Sequence, residues 1–247
     1  MKNFENKSII KSMEIFKNIK RAFTIVEFLI VMAIISILSS ILLPLLSKAR
    51  DRARKAVCMN NLRQIYISLS MYLNDYDEYF PSADDPVSLD PYYWLWMGRG
   101  WRKILMPYIK KNINEKDPSI LYCPSDRTAP KKWESTSYGY SMSFYHSSEQ
   151  INMMNDKSYT YDINKIMPSI GQKLSKVRYP DKKVIIAEWL DNHRKGENGW
   201  WSWEGARNYL FVDGHVEFLD AKKILPANDN FPDINLTKDG ILGKDIE

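Results

Sequence analysis

The chain has 247 residues, of which 45% are hydrophobic and 26% charged, and its formal net charge is +5. A basic excess of this size does not indicate a nucleic-acid-binding protein, and no partner of that class is predicted. The two cysteines, Cys58 and Cys123, are too few for a small disulfide-built scaffold. They also do not form the C-x-x-C pair that is typical of zinc and redox sites.

The first strong feature along the chain is an apolar run at 28–46 that contains no charged residue. About 19 residues at 1.5 Å each span close to the ~30 Å of a hydrocarbon core, so the sequence predicts a transmembrane helix at 23–46. Basic residues at both ends favour contact with anionic lipid but leave the orientation open under the positive-inside rule. They are Lys2, Lys7, Lys11, Lys17, Lys20 and Arg21 before the run, and Lys48, Arg50, Arg52, Arg54 and Lys55 after it.

This apolar run has three interpretations. A secretory signal peptide has a core of about 7–15 apolar residues and small residues at its cut, and the run is too long for one although Ala49 offers a cut. A plain signal anchor explains the length but not the position of Glu27. The third interpretation follows from the stretch A-FTIVEFLIVMAIISIL, which begins at Ala22 and resembles the signature of type IV prepilins and type II secretion pseudopilins.

The resemblance implies a processing event at the start of the helix. Residues 1–22 would be a basic leader, removed by a prepilin peptidase between Ala22 and Phe23, and the new amine of Phe23 would be methylated. Ala22 stands where the family usually has glycine, and Pro44 where many members have a helix-bending proline. The resemblance also implies an inner-membrane protein with an extracytoplasmic C-terminal domain, assembled with other pilins or pseudopilins.

Glu27 occupies the family's fifth mature position. A carboxylate at the edge of the hydrocarbon is usually paired or functional. After cleavage, the cationic amine of Phe23 in one subunit can meet Glu27 of its neighbour, and such a pair in a low-dielectric setting enforces register. The alternative is a carboxylate that snorkels to the lipid headgroups.

Beyond the membrane run, the pattern becomes amphipathic over 47–75 and predicts one helix from about residue 24 to about residue 74, kinked at Pro44. Its apolar positions recur every three or four residues: Ala49, Ala53, Val57, Leu62, Ile65, Leu69 and Leu73. If this part of the chain is exported, a disulfide between Cys58 and Cys123 is expected, and on the chain-entropy argument it stabilises the fold by about 4 kcal/mol. Two buried free thiols are the alternative.

The rest of the chain predicts an α+β globular domain over 76–225 and a C-terminal tail over 226–247. The acidic stretch at 74–86 lacks the glycine and distal glutamate of an EF-hand loop and is interpreted as a solvated loop. A short helix is predicted at 101–109. Strands are predicted at 137–145 and 182–189, and Asp213-Gly214 predicts a hairpin turn inside 207–221.

A second resemblance involves four separate segments, CMNNLRQI, YCPSD, PDKKVIIAEW and NYLFVDGHVEFL. They are similar to prepilin-like proteins with a C-terminal processing-associated domain named for a His-x9-Asp-Gly motif. Ten residues before Asp213 this chain has Trp203 instead of the histidine, and the nearest upstream histidine is His193. The motif is therefore degenerate here, and a tight turn alone explains its Asp-Gly pair.

No catalytic residue, cofactor or metal site is predicted. His215, Asp213 and Glu217 are candidate metal ligands, but the turn separates Asp213 from the strand face of the other two, so His215 is interpreted as an ordinary surface or core histidine. The tryptophans of the segment ENGWWSWEG, Trp200, Trp201 and Trp203, allow a binding surface for a glycan or a protein partner, with core packing as the alternative.

Taken together, the sequence predicts an α+β, pilin-like fold with a long N-terminal helix packed on a small antiparallel sheet. The predicted function is structural: a pseudopilin-like or minor-pilin-like subunit of a secretion pseudopilus or related fibre that acts on secreted cargo. The alternative is a membrane-anchored extracytoplasmic module that binds carbohydrate or protein without joining a fibre.

Overall fold

The computed structural model describes residues 24–82, 101, 104–109, 119–127, 137–155, 167–194, 198–199 and 201–247. The predicted leader at 1–22, the Ala22–Phe23 cut and Trp200 lie outside these described residues. The chain divides into two compact units, residues 1–50 and residues 51–247. As predicted, a long N-terminal apolar helix is combined with a small antiparallel sheet, in an α+β, pilin-like architecture.

A single helix, α1, runs from Ile25 to Asp75 and contains Pro44. Within the described residues, it is the one helix long and apolar enough to cross a membrane. Its apolar side chains up to Leu46 are largely exposed, as a lipid-facing segment requires. The hydroxyls of Ser36 and Ser40 donate to the carbonyls of Met32 and Ile37, both at 2.7 Å. These polar groups are thus satisfied within the helix, which lowers the penalty of placing them in lipid.

The second half of α1 buries one face in the globular unit. This face consists of Cys58, Asn61, Leu62, Ile65, Ser68, Leu69, Tyr72 and Leu73. The predicted apolar stripe was therefore wrong in its first turns, because Ala49, Ala53 and Val57 are exposed. The helical period was correct, but periodicity alone does not show where along a helix the packing partner begins.

A four-stranded sheet forms the centre of the globular unit, in the order β1-β2-β3-β4, with every neighbouring pair antiparallel. The strands are β1 Tyr138–Tyr140, β2 Val184–Glu188, β3 Ala206–Phe211 and β4 Val216–Asp220. Every residue of β1, β2 and β3 is buried. Because side chains alternate between the two faces of a strand, both faces of these strands are covered.

The hairpin between β3 and β4 forms where the Asp-Gly pair predicted it. The amide of Gly214 donates to the carbonyl of Phe211 at 3.0 Å, and Phe211 donates to the carbonyl of His215 at 3.0 Å. Gly214 alone in the turn has a positive φ, of 92°. This is a three-residue loop with a glycine bulge. A Cβ at Gly214 would lie 2.4 Å from the ring of Tyr66, so both the backbone conformation and the close approach of α1 require glycine.

The strand predicted at 137–145 is shorter than expected. It ends at Tyr140, and Ser141 caps a 3₁₀ turn by accepting a hydrogen bond from Ser143. Local serine capping competes with the strand ladder, and the alternating aromatic pattern did not reveal it. A six-residue helix, α2, follows at Ser148–Met153, and Ser147 and Gln150 form its capping box. In the part of the chain that the structure describes, 3₁₀ helices lie at Ser119–Leu121, Met142–Phe144, Leu174–Lys176, Ala221–Lys223 and Gly240–Leu242.

The segment 226–247, predicted to be a tail, is part of the core. Ile234, Leu236 and Ile241 are at most 1% exposed. The ammonium of Lys183, which precedes β2 and is itself completely buried, lies 3.2 Å from Asp245 Oδ2. Asp245 also accepts a hydrogen bond from the amide of Val184 at 2.7 Å. The globular unit therefore extends at both ends beyond the predicted range of 76–225. The few apolar residues at 226–247 did not indicate this burial.

Candidate functional site

The start of α1 shows how the chain accommodates Glu27. Glu27 Oε2 accepts hydrogen bonds from the amide of Thr24 at 2.9 Å and from the Thr24 hydroxyl at 2.8 Å. In return, the amide of Glu27 donates to Thr24 Oγ1 at 3.2 Å. This reciprocal pattern is a capping box, which satisfies backbone donors that the first helical turn leaves free.

The capping box gives Glu27 a role that the sequence analysis missed, although the signal was present. A threonine followed three positions later by a glutamate, just before an apolar run, is the sequence signature of a capping box. Thr24 is the residue directly after Phe23, so the capped turn lies beside the predicted cut. Ala22 and Phe23 themselves lie outside the described residues.

The two cysteines form a disulfide that joins α1 to the loop after Leu121. The Cα atoms of Cys58 and Cys123 are 5.1 Å apart, and the bridge closes a sequence separation of 65 residues. Both residues are at most 2% exposed. In this structure the two cysteines are therefore bonded to each other and are not free thiols. One helical turn after Cys58, the side-chain amide of Asn61 donates to the carbonyl of Tyr122 at 3.0 Å, so a second contact joins the same two segments.

A buried acid and a histidine lie against this disulfide. Glu188, at the end of β2, is completely buried, and its Oε1 lies 2.9 Å from Nε2 of His193. The same histidine nitrogen lies 3.4 Å from Sγ of Cys123. The second carboxylate oxygen, Oε2, accepts two hydrogen bonds from Asn208 in β3, from its amide at 2.9 Å and from its side chain at 3.0 Å.

The four segments that carry the second resemblance meet at this place. Cys58 and Asn61 come from the first, Cys123 from the second, Glu188 from the third and Asn208 from the fourth. They are far apart in the chain, and only the sheet register and the packing of α1 bring them together. We refer to Cys58, Cys123, Glu188 and His193 as the buried cluster.

The buried cluster is a group of potential metal ligands that the sequence patterns did not indicate. Its four potential ligand atoms all lie within 4.8 Å of one another. No local pattern indicates this cluster, because the cysteines are not in a C-x-x-C pair and Glu188 and His193 precede the recognisable hairpin. By contrast, among the described residues the trio of His215, Asp213 and Glu217 does not form such a group.

The hairpin turn carries an exposed histidine with local partners. His215 Nδ1 lies 2.6 Å from Asp213 Oδ1, and its ring stacks on Phe211 with centroids 4.1 Å apart. Asp213 Oδ1 also accepts the amide of His215 at 3.1 Å. These contacts fix the turn, so a structural role explains the Asp-Gly-His sequence.

The two described tryptophans of the predicted binding surface, Trp201 and Trp203, have different surroundings. Trp201 is half-buried and packs against Gly199, where a Cβ would lie 2.4 Å from its ring. Arg207 fixes the same loop by donating from Nη2 to the carbonyls of Asn198, Gly199 and Glu204. Trp203, also half-buried, instead lines a pocket of about 540 Å³ together with Glu217, Leu219, Lys222, Lys223, Ile224, Leu225, Pro226, Ile246 and Glu247.

Comparison with known proteins gives two family matches. Residues 17–43 match the prokaryotic N-terminal methylation motif, and residues 47–116 match a family described as a protein of unknown function, DUF1559. No curated protein and no solved structure matches the chain. Neither family match extends past residue 116, so the resemblance of the C-terminal segments stays a prediction. A methylation motif followed by this domain is typical of type IV pilin-like proteins, and it implies processing by a prepilin peptidase.

Proposed function

We propose that this type IV pilin-like protein is a structural, non-catalytic subunit of a pilus-like fibre or type II secretion pseudopilus. Prepilin peptidase cleaves it between Ala22 and Phe23 and methylates the Phe23 amine. The subunit starts in the inner membrane with its globular unit on the extracytoplasmic side. After assembly, growth of the fibre displaces a secreted cargo or another partner.

The observation that carries this proposal is the methylation motif at 17–43, placed at the start of an apolar helix with exposed side chains. Such a surface is stable in lipid, and after extraction from lipid it needs a new apolar environment. A bundle of identical helices supplies that environment. Under this proposal, Glu27 at the first turn meets the cationic amine of a neighbouring subunit.

The mature N-terminus tests the processing step. We expect mass spectrometry of the chain purified from membranes to find N-methylated Phe23 as the first residue. An intact Met1 would instead identify a simple membrane anchor, and a new terminus near Ala49 would identify a secretory signal peptide. Either result overturns the proposal.

Two substitutions separate the charge of Glu27 from its capping role. Glu27→Gln keeps an oxygen that accepts from Thr24 but removes the charge, whereas Thr24→Ala removes the capping partner and keeps the charge. We expect both variants to be inserted and cleaved, and Glu27→Gln alone to be lost from fibres or from cross-linked multimers. Normal incorporation of Glu27→Gln, or an equal loss with Thr24→Ala, would contradict the intersubunit ion pair.

The pocket beside Trp203 favours a second candidate function, a membrane-anchored module that binds carbohydrate. An indole face at a pocket wall, with lysine and glutamate side chains around it, offers both stacking and hydrogen bonding to a sugar. Under this candidate, Trp203→Ala abolishes binding on a glycan array while Trp201→Ala, which alters the packed side of the loop, affects folding instead. Unchanged glycan binding by folded Trp203→Ala rules this candidate out.

A further inference from the structure

We propose that the buried cluster is a zinc site in the reduced chain, and that the Cys58–Cys123 disulfide and the metal are alternative ways to close it. The ligands are the two cysteine thiolates, Nε2 of His193 and Oε1 of Glu188. This site is independent of fibre assembly, and its failure would leave the proposed function untouched.

The composition of the cluster fits zinc. Thiolate sulfur, imidazole nitrogen and carboxylate oxygen are the three ligand types that Zn²⁺ binds in proteins, and four such ligands with no open position make a structural site. The two thiolates and the carboxylate carry three negative charges, of which Zn²⁺ neutralises two, so the buried site keeps a net charge of about −1.

Two of the ligand separations, both at His193, are close to those of a tetrahedral site. With bond lengths of about 2.0–2.3 Å, the ligand atoms of tetrahedral zinc are about 3.3 Å apart for nitrogen and oxygen and about 3.5 Å apart for nitrogen and sulfur. The corresponding separations are 2.9 Å between His193 Nε2 and Glu188 Oε1, and 3.4 Å between His193 Nε2 and Cys123 Sγ. Once the disulfide is open, the two sulfur atoms must separate to about 3.8 Å, and the four ligand atoms, which lie within 4.8 Å of one another, must close around the ion.

The neighbouring groups hold the ligands in a fixed orientation. Asn208 donates two hydrogen bonds to Glu188 Oε2, so Oε1 is the oxygen that faces His193. The amide of Cys123 donates to Ser137 Oγ at 2.9 Å, which fixes the loop that carries this ligand. Hydrogen-bonded supports of this kind raise metal affinity because the ligands lose little freedom on binding.

The zinc-bound dithiolate and the disulfide are connected by a two-electron oxidation. The newly made chain carries two thiols, and Zn²⁺ binding displaces both thiol protons. Oxidation by a disulfide-donating oxidant then transfers two electrons from the thiolates to that disulfide, which takes up two protons and becomes a dithiol. The Cys58–Cys123 bond forms and Zn²⁺ is released. Both states join α1 to the loop at Cys123, so the cross-link exists before and after oxidation.

Cobalt and zinc binding to the full chain in detergent tests the proposal. We reduce the disulfide with a water-soluble phosphine, which takes oxygen from water as the sulfurs become thiols, and then titrate with Co²⁺ alone. The expected result is one Co²⁺ per reduced chain, with thiolate-to-cobalt charge-transfer absorption and the strong visible bands of tetrahedral cobalt. X-ray absorption of the zinc-loaded chain should show two sulfur atoms at about 2.3 Å and two lighter atoms at about 2.0–2.1 Å.

Variants identify the ligands beyond the cysteines. His193→Gln and Glu188→Gln should each weaken binding roughly 10-fold or more, while His215→Gln, a matched change at an exposed histidine, should leave it unchanged. His193→Cys should raise the number of sulfur atoms from two to three. The proposal is overturned if the wild-type spectrum lacks two sulfur ligands, if the oxidised chain binds Co²⁺ as tightly as the reduced one, or if folded His193→Gln retains full affinity. The wild-type X-ray absorption result does not depend on the folding of any variant.

Discussion

Asp245→Ala should release the C-terminal segment from the globular unit. Asp245 is 3% exposed and lies 3.2 Å from the completely buried ammonium of Lys183. It also accepts hydrogen bonds from the amide of Val184 and the hydroxyl of Thr237, at 2.7 Å and 2.5 Å. Burial lowers the pKa of Lys183, and Asp245 is the charge that opposes this shift. Removing the carboxylate leaves a buried cation without its counter-charge.

The expected loss is about 4 kcal/mol, because breaking a buried pair on one side typically costs about 3–5 kcal/mol. That is a large part of the ~5–15 kcal/mol by which a folded domain is stable. Urea unfolding of the full chain in detergent, followed by tryptophan fluorescence, gives the change in the free energy of unfolding. Hydrogen exchange should show lost protection concentrated at 226–247, since Asp245 donates its own amide to the carbonyl of Lys182 there.

Two further variants make the test specific. Glu247→Ala removes an exposed carboxylate that pairs with Lys244 at 2.7 Å, and it should leave the unfolding midpoint unchanged. Lys183→Met should destabilise less than Asp245→Ala, because methionine fills space similar to that of the lysine side chain, whereas alanine leaves a cavity. A loss below about 1 kcal/mol for Asp245→Ala, with unchanged exchange at 226–247, would refute the reasoning.

Three other predictions concern stability. Burial lowers the pKa of His146 to about 4, so between that value and the ordinary value of about 6.5 the unfolded chain binds more protons. Stability should therefore fall as the pH drops from 7, by about 2 kcal/mol at pH 5, and His146→Gln should remove this part of the pH dependence of thermal unfolding. Replacing Cys58 and Cys123 together by serine should lower the free energy of unfolding by about 4 kcal/mol in non-reducing urea titrations, and an unchanged midpoint would contradict this. Gly214→Ala should destabilise by about 1–3 kcal/mol through its positive φ and the contact with Tyr66, and calorimetry that shows no loss would contradict the strain argument.

The sequence predicted those elements that local patterns determine. The apolar run and the three- to four-residue spacing predicted α1 to within a residue or two, since both depend on neighbours along the chain. The Asp-Gly pair likewise located the β3–β4 turn, because its requirement for a positive φ is local.

The missed features depend on contacts between distant segments. The burial of 226–247 depends on the ion pair between Lys183 and Asp245, 62 residues apart, which no periodicity encodes. The buried cluster joins residues as far apart as Cys58 and His193, so its members had no common local signal. The capping box of Thr24 and Glu27 is different, because its sequence signal is local. It was overlooked because Glu27 was interpreted as an assembly contact.

The position of the cross-link along α1 bears on the proposed mechanical role. Among the described residues of this helix, Cys58 is the first buried one after the membrane segment, and the packed face from Asn61 to Leu73 follows it. A packed apolar face peels one turn at a time, since each turn is held by a few weak contacts. The Cys58–Cys123 disulfide is a covalent bond at the first packed turn, where peeling would start. If the subunit carries load along its helix, as proposed, this disulfide lies at the turn where a cross-link resists peeling most directly.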